Sequence, residues 1–591
     1  MSALSADPPP DSGRLVARLF EEFADLIEIE GSDPRKAGAY RRAARGLRDC
    51  PEDIPAMAAR GRLRQVPGVG PILERKIGEY LATGTIASLE ALRTTVPAGV
   101  RDLLGIRGVG PKLASACWRQ LGVTDVPALR AACADGRLAA LPGVGPGRAA
   151  RVLEASAAAL RPLLLLAEAA PLMDALTSAL AAAGGGIRAA VAGGVRRGCP
   201  VVPALTAVAT GAPDAVATAL AAVSLPWARS PEVRAAGGGR PWPLVQAAVR
   251  LDGPRGEVEM PLAVSVCPAG EWGTALVWAT VSAPHLGALR TRGGGAGGAG
   301  YLPLPAAPDE EGVYAALGLP WLPPELREGW GEVEAALRGE LFPAGGRLVE
   351  VGDLQGDLHW HTRESDGTAD LETMAKAARA RGYAYAAVAD HSTSLVVAHG
   401  LSLERLRAQR AEIDCLNAAA GDGFRILQGA EVEILRDGAL DYPDESLADL
   451  DFCVASLHNT HGQGGAELTE MLLRALAHPA VDVIGHPTGR RLLRRDPQPV
   501  DVSRLAAEAA RLGKALEING GPERLDLDAD LARPARAAGL RWFCLDSDAH
   551  SPEGLAGTHR AVVTARRAGL GPADVVNALS LDALRRWRRR G

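Results

Sequence analysis

Ten of the eleven histidines in this 591-residue chain lie between residues 359 and 559, and only His285 precedes them. Seven short apolar runs alternate with helical stretches through that same region: GDLHWH (356–361), YAYAAVADH (383–391), FRILQGAEVE (424–433), DFCVASLH (451–458), VDVIGH (481–486), KALEING (514–520) and RWFCLDSDAH (541–550). Six of them end in histidine or in a carboxylate-bearing motif, and KALEING carries Glu517 and Asn519. Runs of this length separated by helical segments predict parallel strands joined by crossover helices, a βα barrel. The C-terminal strand ends of such a barrel converge on one face, so residues far apart in the sequence are expected to share one site.

The candidate metal ligands are His359, His361, Asp366, His391, Glu431, His458, His486, Asp548 and His550. Imidazole combined with carboxylate suits Zn²⁺, Mn²⁺ or Fe²⁺. Nine ligands exceed what one tetrahedral or octahedral ion takes, so two or three divalent ions are expected. His399, His461, His478 and His559 are read as ordinary core or surface residues. Arg490, in HPTGR beside His486, is a candidate bidentate phosphate contact, with a structural ion pair as its alternative.

A chain of 591 residues is too long for one core, and three to five domains are expected. Charged residues make up 23% and no long charge-free apolar run occurs, which excludes a membrane-spanning helix. The start, MSALSADPPPDSG, lacks the basic and apolar regions of a signal peptide and reads as a disordered tail over 1–12, which makes the chain cytoplasmic. The eight cysteines never form C-x-x-C, so neither a zinc ribbon nor a redox motif is suggested, and they read as buried apolar residues. A net charge of −5 argues against a broadly basic surface and confines any nucleic-acid contact to local patches.

Three related segments supply such a patch: VPGVGPILERKI (66–77), IRGVGPKLASAC (106–117) and LPGVGPGRAARVL (141–153). In each, glycine permits a left-handed turn, and the helix that follows offers free backbone N–H groups to a phosphate. Gly68 and Gly70, Gly108 and Gly110, and Gly143 and Gly145 are therefore expected to hold the DNA backbone without reading bases, with Lys112 beside the second turn.

DPRKAGAYRRAARGLRDCP followed by PGVGPILERKIGEYLATG resembles the small N-terminal domain of the family X DNA polymerases. That resemblance implies a DNA-binding pocket lined by Lys36 and Tyr40, and it matches Lys76 to the lysine that, in lyase members, attacks an abasic sugar. The chemistry needs an amine of lowered pKa, which arginine cannot offer. VAGGVRRGCPVVPALTAVAT resembles the family's palm motif, and VYAALGLPWLPPELREGWGEVEAAL its thumb. On this likeness the palm's three metal-binding acids fall on Ala204, Thr206 and Ala263, and residues 175–251 contain only Asp214 and Glu232 as acids. Two-metal phosphoryl transfer needs acids at fixed places, so the palm is expected to be inactive.

HWHTRESDG, ADHS, GAEVEIL, SLHN, IGHPTGR, LEING and SDAHSPEGL resemble the PHP (polymerase and histidinol phosphatase) domain. The whole chain is similar to bacterial family X polymerases that carry this domain at their C-terminus. Multidomain architecture is implied: a helix-hairpin-helix region over 13–88 and 89–155, an α+β nucleotidyltransferase-like palm over 156–255, its end and thumb over 256–345, and a distorted (βα)7 PHP barrel over 346–591. The resemblance implies a Mn²⁺-dependent 3′–5′ exonuclease acting on gapped or 3′-ended DNA as a monomer, with 3′-end phosphatase-type activities. A template-directed polymerase, a non-enzymatic DNA scaffold and a small-molecule phosphatase are the competing readings.

Overall fold

The computed structural model describes residues 12–588 apart from 32–33, 49, 51–53, 84, 107, 160–161, 237–240, 254–255, 293–303, 344–345, 422 and 461–462. The expected tail over 1–12 lies outside them except for Ser12, which opens the first helix. The chain divides into two compact units, Met1–Arg161 and Pro162–Gly591.

The first unit is helical. Amphipathic helices Ser12–Glu30 and Pro34–Arg48 bury Phe20, Phe23, Leu26 and Tyr40 in one core, which continues through Ile77, Val100, Leu113 and Val152. Helices Pro71–Thr83, Pro111–Leu121 and Gly145–Ala159 each start at or just after a glycine turn. Gly68 shows why the residue must be glycine: its φ is +85°, and a Cβ there would lie 2.8 Å from backbone atoms of Arg42 and Ala43.

The second unit joins a five-stranded mixed sheet to a barrel. In the mixed sheet Leu205–Thr210 runs parallel to Gly256–Cys267, and the register sets Thr206 opposite Ala263. Arg196, Arg327 and Glu310 tie the sheet to the segment that follows. Glu310 accepts two hydrogen bonds from Arg196, at 2.7 and 2.8 Å, and two from Arg327, at 2.6 and 3.1 Å. Contact with the barrel runs through Arg567, whose Nη1 donates to Glu328 and to the Arg197 carbonyl at 2.7 Å each.

All seven apolar runs form strands: β1 (Gly356–Trp360), β2 (Tyr385–Val388), β3 (Arg425–Glu433), β4 (Phe452–Ser456), β5 (Val483–Ile484), β6 (Ala515–Asn519) and β7 (Trp542–Asp546). They pair in sequence order, all parallel. A bridge between Trp360 and Ala549 joins the β1 end to the β7 end, so the barrel is nearly closed. Nearly every strand residue is buried, as expected where helices cover one face and side chains fill the other. The C-terminal helix Leu581–Arg588 brings Leu584 and Trp587 against Leu358, Tyr385, Leu427 and Ala515. Tyr385 and Ala515 are the first residues of their strands, so this plug lies at the end of the barrel opposite the histidines.

Cys117, Cys267, Cys453 and Cys544 are buried, as read from the sequence. Cys415 is exposed, because its helix Leu403–Ala420 packs through Leu406, Gln409, Ile413 and Asn417 instead.

Candidate metal centre

The histidines and acids chosen from the sequence gather at the C-terminal ends of the barrel strands. Glu431, on β3, is the hub: its Oε1 lies 2.8 Å from His486 Nε2 and 3.3 Å from His458 Nε2. Its Oε2 lies 3.0 Å from His391 Nδ1, 3.4 Å from His359 Nε2 and 3.6 Å from His361 Nε2. Asp548 Oδ1 stands 3.2 Å from His361 Nε2, and Asp366 Oδ2 lies 3.4 and 3.3 Å from Nε2 of His391 and His550.

Among the described residues three groups could each hold a cation: His361, Asp366, His391 and His550; His359, His361 and Asp548; and His391, Glu431 and His458. Within each, the ligand atoms lie within 4.8 Å of one another. His361 and His391 each belong to two of these groups. Nε2 of His359, Nδ1 of His361 and Nε2 of His458 are buried and make no well-aligned hydrogen bond among the described residues. An imidazole nitrogen left so in a polar cavity costs free energy unless a cation faces it, and the donor set therefore fits divalent metal.

The backbone is strained here. His486 and Asp548 have φ of +26° and +52°, a region that side-chain-bearing residues adopt where surrounding structure over-determines them. Asp390 anchors the loop that carries Asp366, accepting hydrogen bonds from the Thr362 N–H and hydroxyl at 2.7 and 2.6 Å and from Ser365 and Gln409.

The electrostatics follow from burial and crowding. Burial lowers His361 to about 4, helped by His550 and His391 nearby. Burial and then Arg524 lower His486 to about 3, so both rings stay neutral and able to ligate. Burial opposes the ionised form of Glu431, but the surrounding His391, His458 and His359 outweigh it and hold the carboxyl well below its ordinary range.

A second layer was not among the chosen residues. Glu517 Oε1 lies 2.7 Å from His359 Nδ1, and Glu433 Oε2 lies 2.6 Å from His458 Nδ1, so each carboxylate sets which imidazole nitrogen faces the cage. Asn519 donates to Asp548 Oδ2 at 3.0 Å, and Arg524 Nε lies 3.1 Å from the same oxygen. The strand-end pattern marked Glu517 and Asn519, whereas Arg524 sits in a loop with no periodic signal.

Two assignments require correction. Arg490 is buried, and each of its three guanidinium nitrogens has an internal partner: the Arg524 carbonyl, the Leu525 carbonyl and Asp528. It is the structural ion pair, buried and held by internal partners at all three nitrogens. Tyr40 is 2% exposed, stacked on Phe23 at 4.3 Å and edge-on to Phe20 at 5.3 Å, so it is a core ring and lines no surface for DNA.

The remaining residues of the first unit stand as follows. Lys36 and Lys112 are exposed, and Gly108, Gly143 and Gly145 have φ of +89°, +78° and +63°. Gly70 and Gly110 lie just before the helices that start at Pro71 and Pro111. Lys76 Nζ lies 4.7 Å from the Phe23 ring centroid and donates to Ser88 Oγ. Burial, Lys36 and Arg75 lower its pKa against the opposing pull of Glu79.

Comparison with known proteins agrees with this arrangement. Residues 12–86 match the Helix-hairpin-helix domain family, 100–157 the SAM-like Helix-hairpin-helix tandem family and 357–520 the PHP domain family. The barrel region is 30% identical over 234 residues to a probable phosphatase of Syntrophotalea carbinolica, covering 37% of this chain and 90% of that one. It is 32% identical over 206 residues to a probable phosphatase of Acetivibrio thermocellus, covering 33% and 78%. The DNA polymerase/3′-5′ exonuclease PolX of Bacillus subtilis is 33% identical over 592 residues, which span 97% of this chain and 99% of that protein. The match thus runs along nearly the full length of both chains, and this chain belongs to the PolX family of family X DNA polymerase/3′-5′ exonucleases.

Proposed function

We propose that this chain is a divalent-metal-dependent 3′–5′ exodeoxyribonuclease that processes 3′ ends at gaps in DNA, and that its polymerase site has lost its chemistry. The observation that carries the reading is the convergence of five histidines on Glu431 at one barrel mouth, flanked by Asp366 and Asp548. His359, His361, Asp366, His391, Glu431, His458, His486, Asp548 and His550 would hold two or three ions, with Mn²⁺ preferred and Zn²⁺ or Fe²⁺ as alternatives. Such ions, when bound, activate water and neutralise charge on a phosphate oxygen. The chain's own residues do the rest. Glu517 and Glu433 hold the imidazoles of His359 and His458 in orientation, while Asp366 and His550 remain partly exposed. Arg524, ion-paired with Asp548, would add positive charge near the scissile phosphate.

The lost polymerase rests on register. Thr206 and Ala263 face one another across adjacent parallel strands, and Ala204 precedes the first of them. Glu232 is exposed on an edge strand and ion-paired with Arg234, and Asp214 is exposed on helix Pro213–Ala221, so neither supplies an acid there. The exposed lysines and glycine turns of the first unit act as a sequence-independent DNA arm. In this reading the protein is a cytoplasmic monomer, and Lys76 is a candidate lyase amine.

Labelled gapped DNA incubated with Mn²⁺, with and without the four dNTPs, tests the proposal. Shortening of the primer under both conditions is expected. Template-dependent extension would restore the polymerase reading, and hydrolysis confined to small phosphomonoesters would point to a phosphatase.

A further inference from the structure

The loop after β5 carries Arg491, Arg494 and Arg495 in a tight hairpin. The N–H of Arg491 donates to the Arg495 carbonyl at 2.9 Å, the N–H of Arg495 returns to the Arg491 carbonyl at 2.7 Å, and Leu493 takes φ +61°. A hydrogen bond of 2.7 Å from the Leu492 N–H to the Glu523 carbonyl fastens this hairpin to the loop after β6, which carries Arg524. Arg490 completes the joint by donating to the Arg524 and Leu525 carbonyls. Two loops are thus locked together, which fastens the arginine hairpin to the loop that sets Arg524 beside Asp548.

Their charge is under-compensated. Arg491 and Arg494 share one acid, Glu523, at 3.6 and 3.2 Å, and Arg524 takes Asp548, which already faces the cage. Asp496 lies on the same loop but forms no ion pair with them among the described residues. Arg491 and Arg495 reach the surface, and partial burial, followed by repulsion from Arg524, lowers the pKa of both. Like charges gathered on one backbone-locked hairpin favour a bound anion.

We propose that Arg491 and Arg495 form a subsite for a second backbone phosphate of the DNA strand, next to the one being cleaved. The polarity follows from the chemistry of a 3′ end. The terminal nucleotide has a single internucleotide phosphate, the scissile one, so any further phosphate belongs to the retained strand on the 5′ side. The subsite would make the enzyme prefer a polynucleotide end to an isolated phosphate ester. This rests on the nuclease reading of the barrel and adds a specificity element to it.

The test uses the full-length protein with Mn²⁺ and two substrates, TpT, with one phosphate, and TpTpT, with two. Wild type is expected to show a kcat/KM about 10- to 100-fold higher for TpTpT, through KM, because one charge-assisted contact is gained. In the Arg491→Gln/Arg495→Gln double variant the ratio should fall to near one, and Arg491→Lys/Arg495→Lys should restore part of it. Anisotropy of fluorescein-labelled TpTpT without added metal supplies a readout independent of turnover, and the Gln variant should bind at least about 10-fold more weakly. Equal kcat/KM for the two substrates in wild type, or a ratio and binding unchanged in the Gln variant, overturns the subsite while leaving the nuclease reading standing. Hydrolysis of neither substrate by wild type, with binding still lost in the Gln variant, overturns the nuclease reading and supports the phosphate subsite.

Discussion

Oε1 of Glu517 lies 2.7 Å from Nδ1 of His359, both side chains fully buried. The carboxylate fixes the tautomer, so Nε2 is the nitrogen directed at Glu431 and the cage. Glu517→Gln should weaken metal binding about 10- to 100-fold, the usual effect of removing the acid behind a ligating histidine. Calorimetric titration with Mn²⁺ measures it. Affinity unchanged within twofold would show that His359 needs no such partner.

Asp548→Ala or His359→Ala should lower Mn²⁺-dependent hydrolysis of DNA by about 100-fold or more, since each removes groups that would organise charge at the reacting phosphate. DNA binding should persist, because the glycine turns lie in the other compact unit. A nuclease assay paired with a gel-shift measurement decides this. Full activity in both variants would sink the metal-centre assignment.

Glu310 is 5% exposed and bonded to Arg196 and Arg327, the latter fully buried. Burial alone would raise its pKa, but the two guanidinium groups outweigh it and bring the carboxyl down to about 2 from 4.5. Glu310→Gln should cost about 3–5 kcal/mol at pH 7 by leaving Arg327 buried without its counter-charge. Because the folded-state pKa is the depressed one, the ionic contribution is complete above pH 4.5 and is lost as pH falls towards 2. Urea denaturation of both proteins at pH 7, 4 and 3 should show the gap narrowing with acid. A gap independent of pH would mean that the pair contributes through shape rather than charge.

A chain beginning at Pro162 should keep its metals and hydrolyse a small phosphate ester as the whole protein does, yet bind gapped DNA more weakly and with less salt dependence. Each duplex phosphate contact contributes about −0.9 to the slope of log affinity against log salt, so losing several should flatten it by a few units. Equal affinity and slope in the two proteins would mean that the glycine turns do not hold the DNA.

The barrel and its cage were legible in the sequence because local pattern and chemistry coincide there. Short apolar runs lead into histidine or acid, and βα-barrel geometry gathers strand ends without further instruction. The glycine turns were legible for a similar reason, since Gly68 occupies a backbone region and a close approach that other residues do not tolerate. Tyr40, Arg490 and Arg524 were not legible. Whether a tyrosine stacks on Phe23 or faces DNA, and whether an arginine meets Asp528 or a phosphate, depends on contacts between segments distant in sequence. The pairing of Thr206 with Ala263 is of the same kind, for strand register across 57 residues is set by the packed core and leaves no local mark. Sequence alone thus determined which elements form and which chemistry they carry, and tertiary structure decided which charged groups remain free to meet a substrate, because only packing settles which partners are already taken.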